Sequence, residues 1–251
     1  MSKWSVALAC LAAAACIASA QERGNPIADY AVVSLIGDRF TVADRNTDVR
    51  REGHQGYTFP LGSASLDGAA LATVKEVIAD RIPGAKVSLA LIREPAVYEA
   101  EEEVLAVSRE TQPLVEALQP VLGQIKARRL ILVSKVREPV DVHFADVYQE
   151  RPGVLEGLGF YLDPGKRIQN TETLERSVGY VGVFAHFRVS VVNQDTHRVI
   201  DEERVAEMKA FRDERKDPWE SYTPEQKVAL IKSTVAGQIR TVLPALLERT
   251  R

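Results

Sequence analysis

An imidazole and two carboxylates stand close together in Asp141-Val142-His143-Phe144-Ala145-Asp146. On an extended strand, residues two apart share a face, so Asp141 and His143 could orient one another or meet a metal ion, with Asp146 pointing the other way. Two such groups fall short of the three or four protein ligands that a zinc site takes. His186, in the long apolar stretch 180–192, is the group that would complete a catalytic set with them. The plainer reading of the alternation is a solvated strand face, and of His186 a satisfied histidine on a mixed sheet face. No metal and no cofactor is expected. Three further residues are binding candidates: His54 in a Gly- and Pro-rich loop, and Trp219 and Tyr222 among the alternating charges of "FRDERKDPWESYTP".

A second place invites a chemical reading. "SLIGDRFT" (34–41) resembles the opening block of the GDS-type lipases and esterases, where a serine after the aspartate is the nucleophile. Arg39 holds that place and has no nucleophilic oxygen to offer. The late Asp-x-x-His pair of such enzymes has only Asp195-Thr196-His197 as a counterpart, one residue too close. Gly37-Asp38 between two apolar runs instead has the composition of a type II′ hairpin turn, because glycine takes positive φ at little cost. No glycine-rich phosphate cradle follows a strand, and no G-x-S-x-G elbow occurs.

The groups above need a compartment and a scaffold. "MSKWSVALACLAAAACIASA" carries a basic start at Lys3, an apolar centre and a small-residue exit, the pattern of a secretory signal peptide cleaved before Gln21. Its apolar centre is shorter than the roughly 20 residues a spanning helix needs, and no later run replaces it, so no transmembrane segment is expected in the mature chain. Cys16 follows three alanines, a partial lipoprotein box without its leucine. Both cysteines, Cys10 and Cys16, fall in this leader, which leaves a mature chain without disulfide, thiol nucleophile or thiolate site. The whole chain has 32 basic and 35 acidic residues for a net charge of −3, with no basic bias toward nucleic acid. The expected location is periplasmic or secreted, with residues 1–20 a leader and 21–251 one mature domain.

Periodicity predicts the scaffold. Short β-branched runs at 30–36 and 39–43 read as paired strands, and 47–65 as a long surface loop. Helical spacing covers 66–81, ended by Pro83-Gly84, and a buried strand follows at 86–92. Residues 98–127 read as a helix with one apolar face, Val104, Val107, Thr111, Leu114, Leu118, Val121 and Ile125, broken near Pro113 or Pro120. The acidic run 99–103 is its charged start. Another core strand spans 129–136, and 153–177 is rich in glycine and turn residues. The strand 180–192 turns at "NQDTHR" into a return strand, and an amphipathic helix capped by Thr223 closes the chain. The class is therefore α/β: a mixed sheet with a parallel βαβ core, an antiparallel C-terminal hairpin and helices packed on it.

"FRVSVVNQDTHRVIDEERV" and the closing helix resemble the end of exported bacterial domains of the curli-assembly and penicillin-binding-protein-activator lipoprotein type. There a V-x-V-x-D-x-x-T-G-x-V strand and turn leads to a return strand and a helix. Thr196 and Val199 match that pattern, and His197 stands where glycine is usual. The chain as a whole is similar to uncharacterised secreted proteobacterial proteins carrying segments such as "GLGFYLD" and "HFRVSVVNQDT". The resemblance is structural and transfers no catalytic residue. It implies an exported, non-catalytic module that binds a cell-envelope protein or cell-wall component. The alternative is a periplasmic hydrolase or metal-dependent enzyme using Asp141, His143 and His186.

Overall fold

The computed structural model describes residues 27–37, 39–44, 57–61, 66–143, 149–169, 176–211 and 219–250. The leader, His54, Asp38 and Asp146 lie outside the described residues. In chain order the elements are β1 (Ala28–Ser34), β2 (Arg39–Asp44), β3 (Tyr57–Pro60), α1 (Leu66–Arg81), β4 (Val87–Ala90), α2 (Pro95–Val107), α3 (Thr111–Ala117) and α4 (Gln119–Leu122). They continue with β5 (Ala127–Lys135), β6 (Arg137–His143), β7 (Gln149–Gln169), β8 (Arg176–Asn193), β9 (Arg198–Phe211) and α5 (Pro224–Arg249). The fold is α/β. The strands form one mixed sheet in the order β3-β2-β7-β8-β5-β1-β4, with β6 added on β7 and β9 on β8. β1 is parallel to both β4 and β5, and β2 is parallel to β7. The β7–β8 and β8–β9 pairs are antiparallel.

β1 is covered on both faces, which is why it reads as a continuous apolar run rather than an alternating one. Tyr30, Val32 and Ile36 join the core under α1 and α5, while Ala31, Val33 and Leu35 join the one under the α2–α4 segment. In β8, Val181, Val183, Ala185, Phe187, Val189 and Val191 all enter the first of these cores, as their alternation predicts. The opposite face of β8 is not wet: Tyr180, Phe184, His186 and Arg188 are at most 1% exposed.

Several expectations are corrected. Gly37 has φ +81°, as a turn glycine should, but β1 and β2 do not pair, and β7, β8 and β5 stand between them. The chain instead goes on from Gly37 to β2 across the sheet, and the Gly37 carbonyl accepts from the Leu66 N–H at the start of α1 at 3.2 Å. The loop predicted over 47–65 contains β3, because β2 offers Tyr57–Pro60 an antiparallel ladder. The segment 86–92 is an edge strand, not a buried one, with Leu89 and Leu91 about two-fifths exposed at 42% and 41%. The helix expected over 98–127 is three helices, interrupted at 108–110 and at Leu118. Pro113 and Pro120 fall within the first turns of α3 and α4, where their missing N–H has no intrahelical partner to lose. Val107, at the end of α2, therefore leaves the common face and is 85% exposed. The glycine-rich stretch after 153 is mostly strand, in β7 and the start of β8.

Candidate functional site

After β1 the chain forms β2 and β3 at the far end of the sheet, then α1 brings it to β4 on one side of β1, and α2–α4 return it over β1 to β5 on the other. The carboxyl ends of β1 and β5 are thus a topological switch point, the place where open α/β sheets bind ligands. This sheet fills that place with its own side chains. Asp67, in the first turn of α1, accepts from Ser34 Oγ at 2.6 Å and the Gly37 N–H at 3.1 Å on one oxygen, and from Tyr98 Oη at 2.8 Å on the other. Glu101 of α2 accepts from the Lys135 N–H at 2.9 Å, and the Lys135 ammonium lies 3.3 Å from its second oxygen. Ser34, Ser134 and Glu101 are fully buried, and Asp67 is 2% exposed.

Burial raises the pKa of Asp67, against the pull of its hydrogen bonds from Ser34, Tyr98 and the backbone. The α1 N-terminus also favours a carboxylate at this position. Glu101 goes further: desolvation outweighs the Lys135 charge and lifts its pKa to about 7. Burial works against the Lys135 ammonium too, but Glu101, Glu102 and Glu156 outweigh it and hold its pKa above the usual value. The polar layer continues across β5 and β8. Arg188 donates to Ser134 Oγ at 3.1 Å and to the Arg109 carbonyl at 2.7 Å, and burial lowers its pKa against the attraction of Glu202. Thr111 stands within hydrogen-bonding distance of Ser190 and donates to Glu202, fastening α3 over β8 and β9.

The Glu101 shift gives a pH dependence with a definite sign. Its folded pKa, about 7, is above the unfolded value of 4.5, so the folded state holds the extra proton between them. Stability from this group is full below pH 4.5 and falls as pH rises to about 7, by up to about 3 kcal/mol. Glu101→Gln keeps an acceptor for the Lys135 N–H and removes the titration. Urea midpoints at pH 5 and pH 8 should therefore differ less in the variant than in the parent. An equal or larger difference in the variant contradicts this account.

The residues nominated from sequence are dispersed. His186 is buried, its Nδ1 lies 3.0 Å from the Leu155 carbonyl and its ring packs 5.4 Å from that of Phe184. Its carbonyl accepts from the Val136 N–H, at the point where β8 passes from β5 to β7. β6 starts one residue later and runs to His143, so six residues of strand, about 20 Å at the usual rise, lead from that point to His143. Asp141 lies where the β6–β7 register shifts, between Val140 and Val142. The structure thus separates the candidate catalytic set of Asp141, His143 and His186. Trp219 packs edge-on against Phe160 at 5.2 Å with the Lys227 ammonium 3.7 Å above its ring, half-buried on the core beside half-buried Tyr222. His197, in the β8–β9 turn, has φ +52°, a left-handed conformation that glycine adopts more easily.

Sequence reasoning missed Asp67, Glu101, Lys135 and Arg188. One signal was present: Val97, Glu101 and Leu105 are spaced by four, and all three are buried, whereas Glu99, Glu102 and Glu103 of the same acidic run are exposed. Among the described residues, no three His, Cys, Asp or Glu side chains are grouped to hold a metal ion, and no helix is long and apolar enough to cross a membrane. An open depression of about 380 Å³ bounded by Asp29, Gly84, Arg128 and Arg129 lies at the opposite, amino ends of β1 and β5.

No protein-family model matches the chain, and no curated protein does. A crystal structure described as a neuraminyllactose-binding hemagglutinin homolog from Helicobacter pylori is similar over 90% of this chain and 87% of its own, at 9% identity and a TM-score of 0.37.

Proposed function

We propose that this chain is an exported, non-catalytic module that binds or helps assemble another component of the cell envelope, in the periplasm or outside the cell. The observation that supports it is the filled switch point. Ser34 and Tyr98 bond Asp67, and Lys135 bonds and ion-pairs with Glu101, where an enzyme of this architecture would keep an open crevice. These contacts hold α1 and α2 against the sheet and leave the chain's edges and helix surfaces as the places to meet a partner. The leader-like first twenty residues and the likeness of the C-terminal hairpin and helix to envelope assembly domains point the same way.

The test combines cell fractionation, metal analysis and co-sedimentation. The purified protein is incubated with isolated cell-wall sacculi and, separately, with outer-membrane vesicles. Retention on one of these, recovery in the periplasmic or extracellular fraction, and no stoichiometric metal is the expected result. Stoichiometric zinc in the purified protein, or recovery in the cytoplasm, overturns the reading.

A further inference from the structure

Among the described residues the strand path ends at β3, a four-residue strand closed by Pro60, and at β4, and β9 adds a further edge beside β8. β9 pairs only with β8 and is guarded along its length by Glu202, Glu203, Arg204, Glu207 and Lys209, charges that discourage a further strand. β4 ends the path beside β1 and has neither kind of guard: from Val87 to Ile92 it carries neither charge nor proline. Its polar backbone is aimed outward at alternate residues. The Lys86 carbonyl accepts from the Asp29 and Tyr30 N–H groups, and the Lys86 N–H donates to Asp29 Oδ2, so Lys86 faces β1. By alternation Ser88 and Ala90 face β1 as well, while the N–H and C=O groups of Val87, Leu89 and Leu91 face the free edge. The extended backbone continues to Glu94, with φ −75° and ψ 116°. At Arg93 the outward N–H is met at 3.2 Å by the chain's own Glu94 carboxylate, a local substitute for a strand partner.

We propose that β4 pairs antiparallel with β4 of a second copy of this chain, joining two sheets across a two-fold axis. The sequence of the edge fits itself. With Ala90 opposite its own copy, Leu89 meets Leu91 of the other chain and Lys86 meets Glu94, each twice by symmetry. The leucine pairs have outward-facing backbone groups and exchange the ladder hydrogen bonds, and the two exposed side chains cover each other. The Lys86–Glu94 pairs bring opposite charges together at both ends of the ladder and fix the register against slippage. Among the described residues Lys86 has no ion pair within the chain, and Glu94 need only leave the Arg93 N–H, which the new ladder takes over.

The experiment measures mass in solution by sedimentation equilibrium on the purified full chain over roughly 1–100 µM, a range that reads micromolar association. A monomer–dimer equilibrium is expected. Leu89→Lys should weaken it at least about tenfold by placing a charge on the edge, with an unchanged far-ultraviolet spectrum. Lys86→Glu should also weaken it by setting two carboxylates against each other at both ends of the ladder, and Lys86→Glu combined with Glu94→Lys should restore it. A dimer indifferent to these changes puts the interface elsewhere. A monomer at every concentration overturns the proposal. Protection of the Val87 and Leu89 amides from hydrogen exchange in that monomer would mean that a segment of the same chain occupies the edge.

Discussion

Replacing Gly159 by alanine should cost at least about 3 kcal/mol and leave little of the native protein at physiological temperature. Gly159 lies in β7 directly beside Thr41 of the parallel strand β2. A Cβ built there falls 1.8 Å from the Thr41 carbonyl oxygen and 2.8 Å from its N. These are backbone atoms in a ladder, so relief requires β2 and β7 to separate, with Val42 and Phe160, the next pair along the ladder, pulled from the core. Such a loss is a large share of a domain's usual stability of about 5–15 kcal/mol. Gly182→Ala is the control. Its Cβ would meet the Met208 side chain, at 2.2 Å from Cε, and a thioether with three rotatable bonds can move aside. Urea midpoints with unchanged slopes should show the first variant far below the parent and the second within about 1–2 kcal/mol of it. Equal losses would mean that β2 and β7 are not held together as described.

Gly159 also shows what the sequence conceals. The run 153–177 looks like turns because glycine and proline usually punctuate chains, yet here glycine permits a close approach of two strands inside a sheet. Nothing in the local composition separates the two uses; the distinction depends on Thr41, more than a hundred positions away. The pairing of β1 was hidden for the same reason. "IGD" has the composition of a hairpin turn and does deliver a positive φ at Gly37, but strand partners are chosen by the whole sheet, and β1 finds β4 and β5 through helical crossovers. Elements with their own periodicity were legible: α1 over 66–81, the inward face of β8, and α5 behind its Thr223 capping box. The polar layer was the least legible part. Asp67, Glu101 and Arg188 lie apart in sequence and resemble ordinary surface charges until the switch point brings their elements together. Where sequence proximity did suggest chemistry, at Asp141 and His143, the fold carried the third member, His186, elsewhere.

The closing helix should prove integral to the domain, and Ile231→Asp should show it with a loss of at least about 4 kcal/mol, from the vacated apolar volume plus a carboxylate forced into it. α5 lays Ile231, Val235, Ile239, Leu243, Leu246 and Leu247 into the main core, all fully buried, alongside α1 residues such as Val74 and Ile78. Its start is fixed by Thr223 and Gln226, which cap each other's backbone N–H groups, at 3.3 and 2.8 Å. Its end carries Arg249, which bonds Asp201 at 2.6 Å and Glu203 at 2.9 Å on β9. Those exposed ion pairs contribute little beside the apolar face, so the prediction rests on burial. Pro244 sharpens the argument: an internal proline removes a helical hydrogen bond and bends the axis, a cost an isolated helix would not bear and a packed one can. The control is Ala229→Asp, exposed in the first turns of the same helix, which should change stability by no more than about 0.5 kcal/mol. Removing everything after Tyr222 should expose the face of β8 that α5 covers and yield an aggregating, protease-sensitive chain. If Ile231→Asp and the truncation both remain folded and resistant, the apolar stripe of α5 is not spent on this core, and it would serve instead as a helix offered to the groove of another protein.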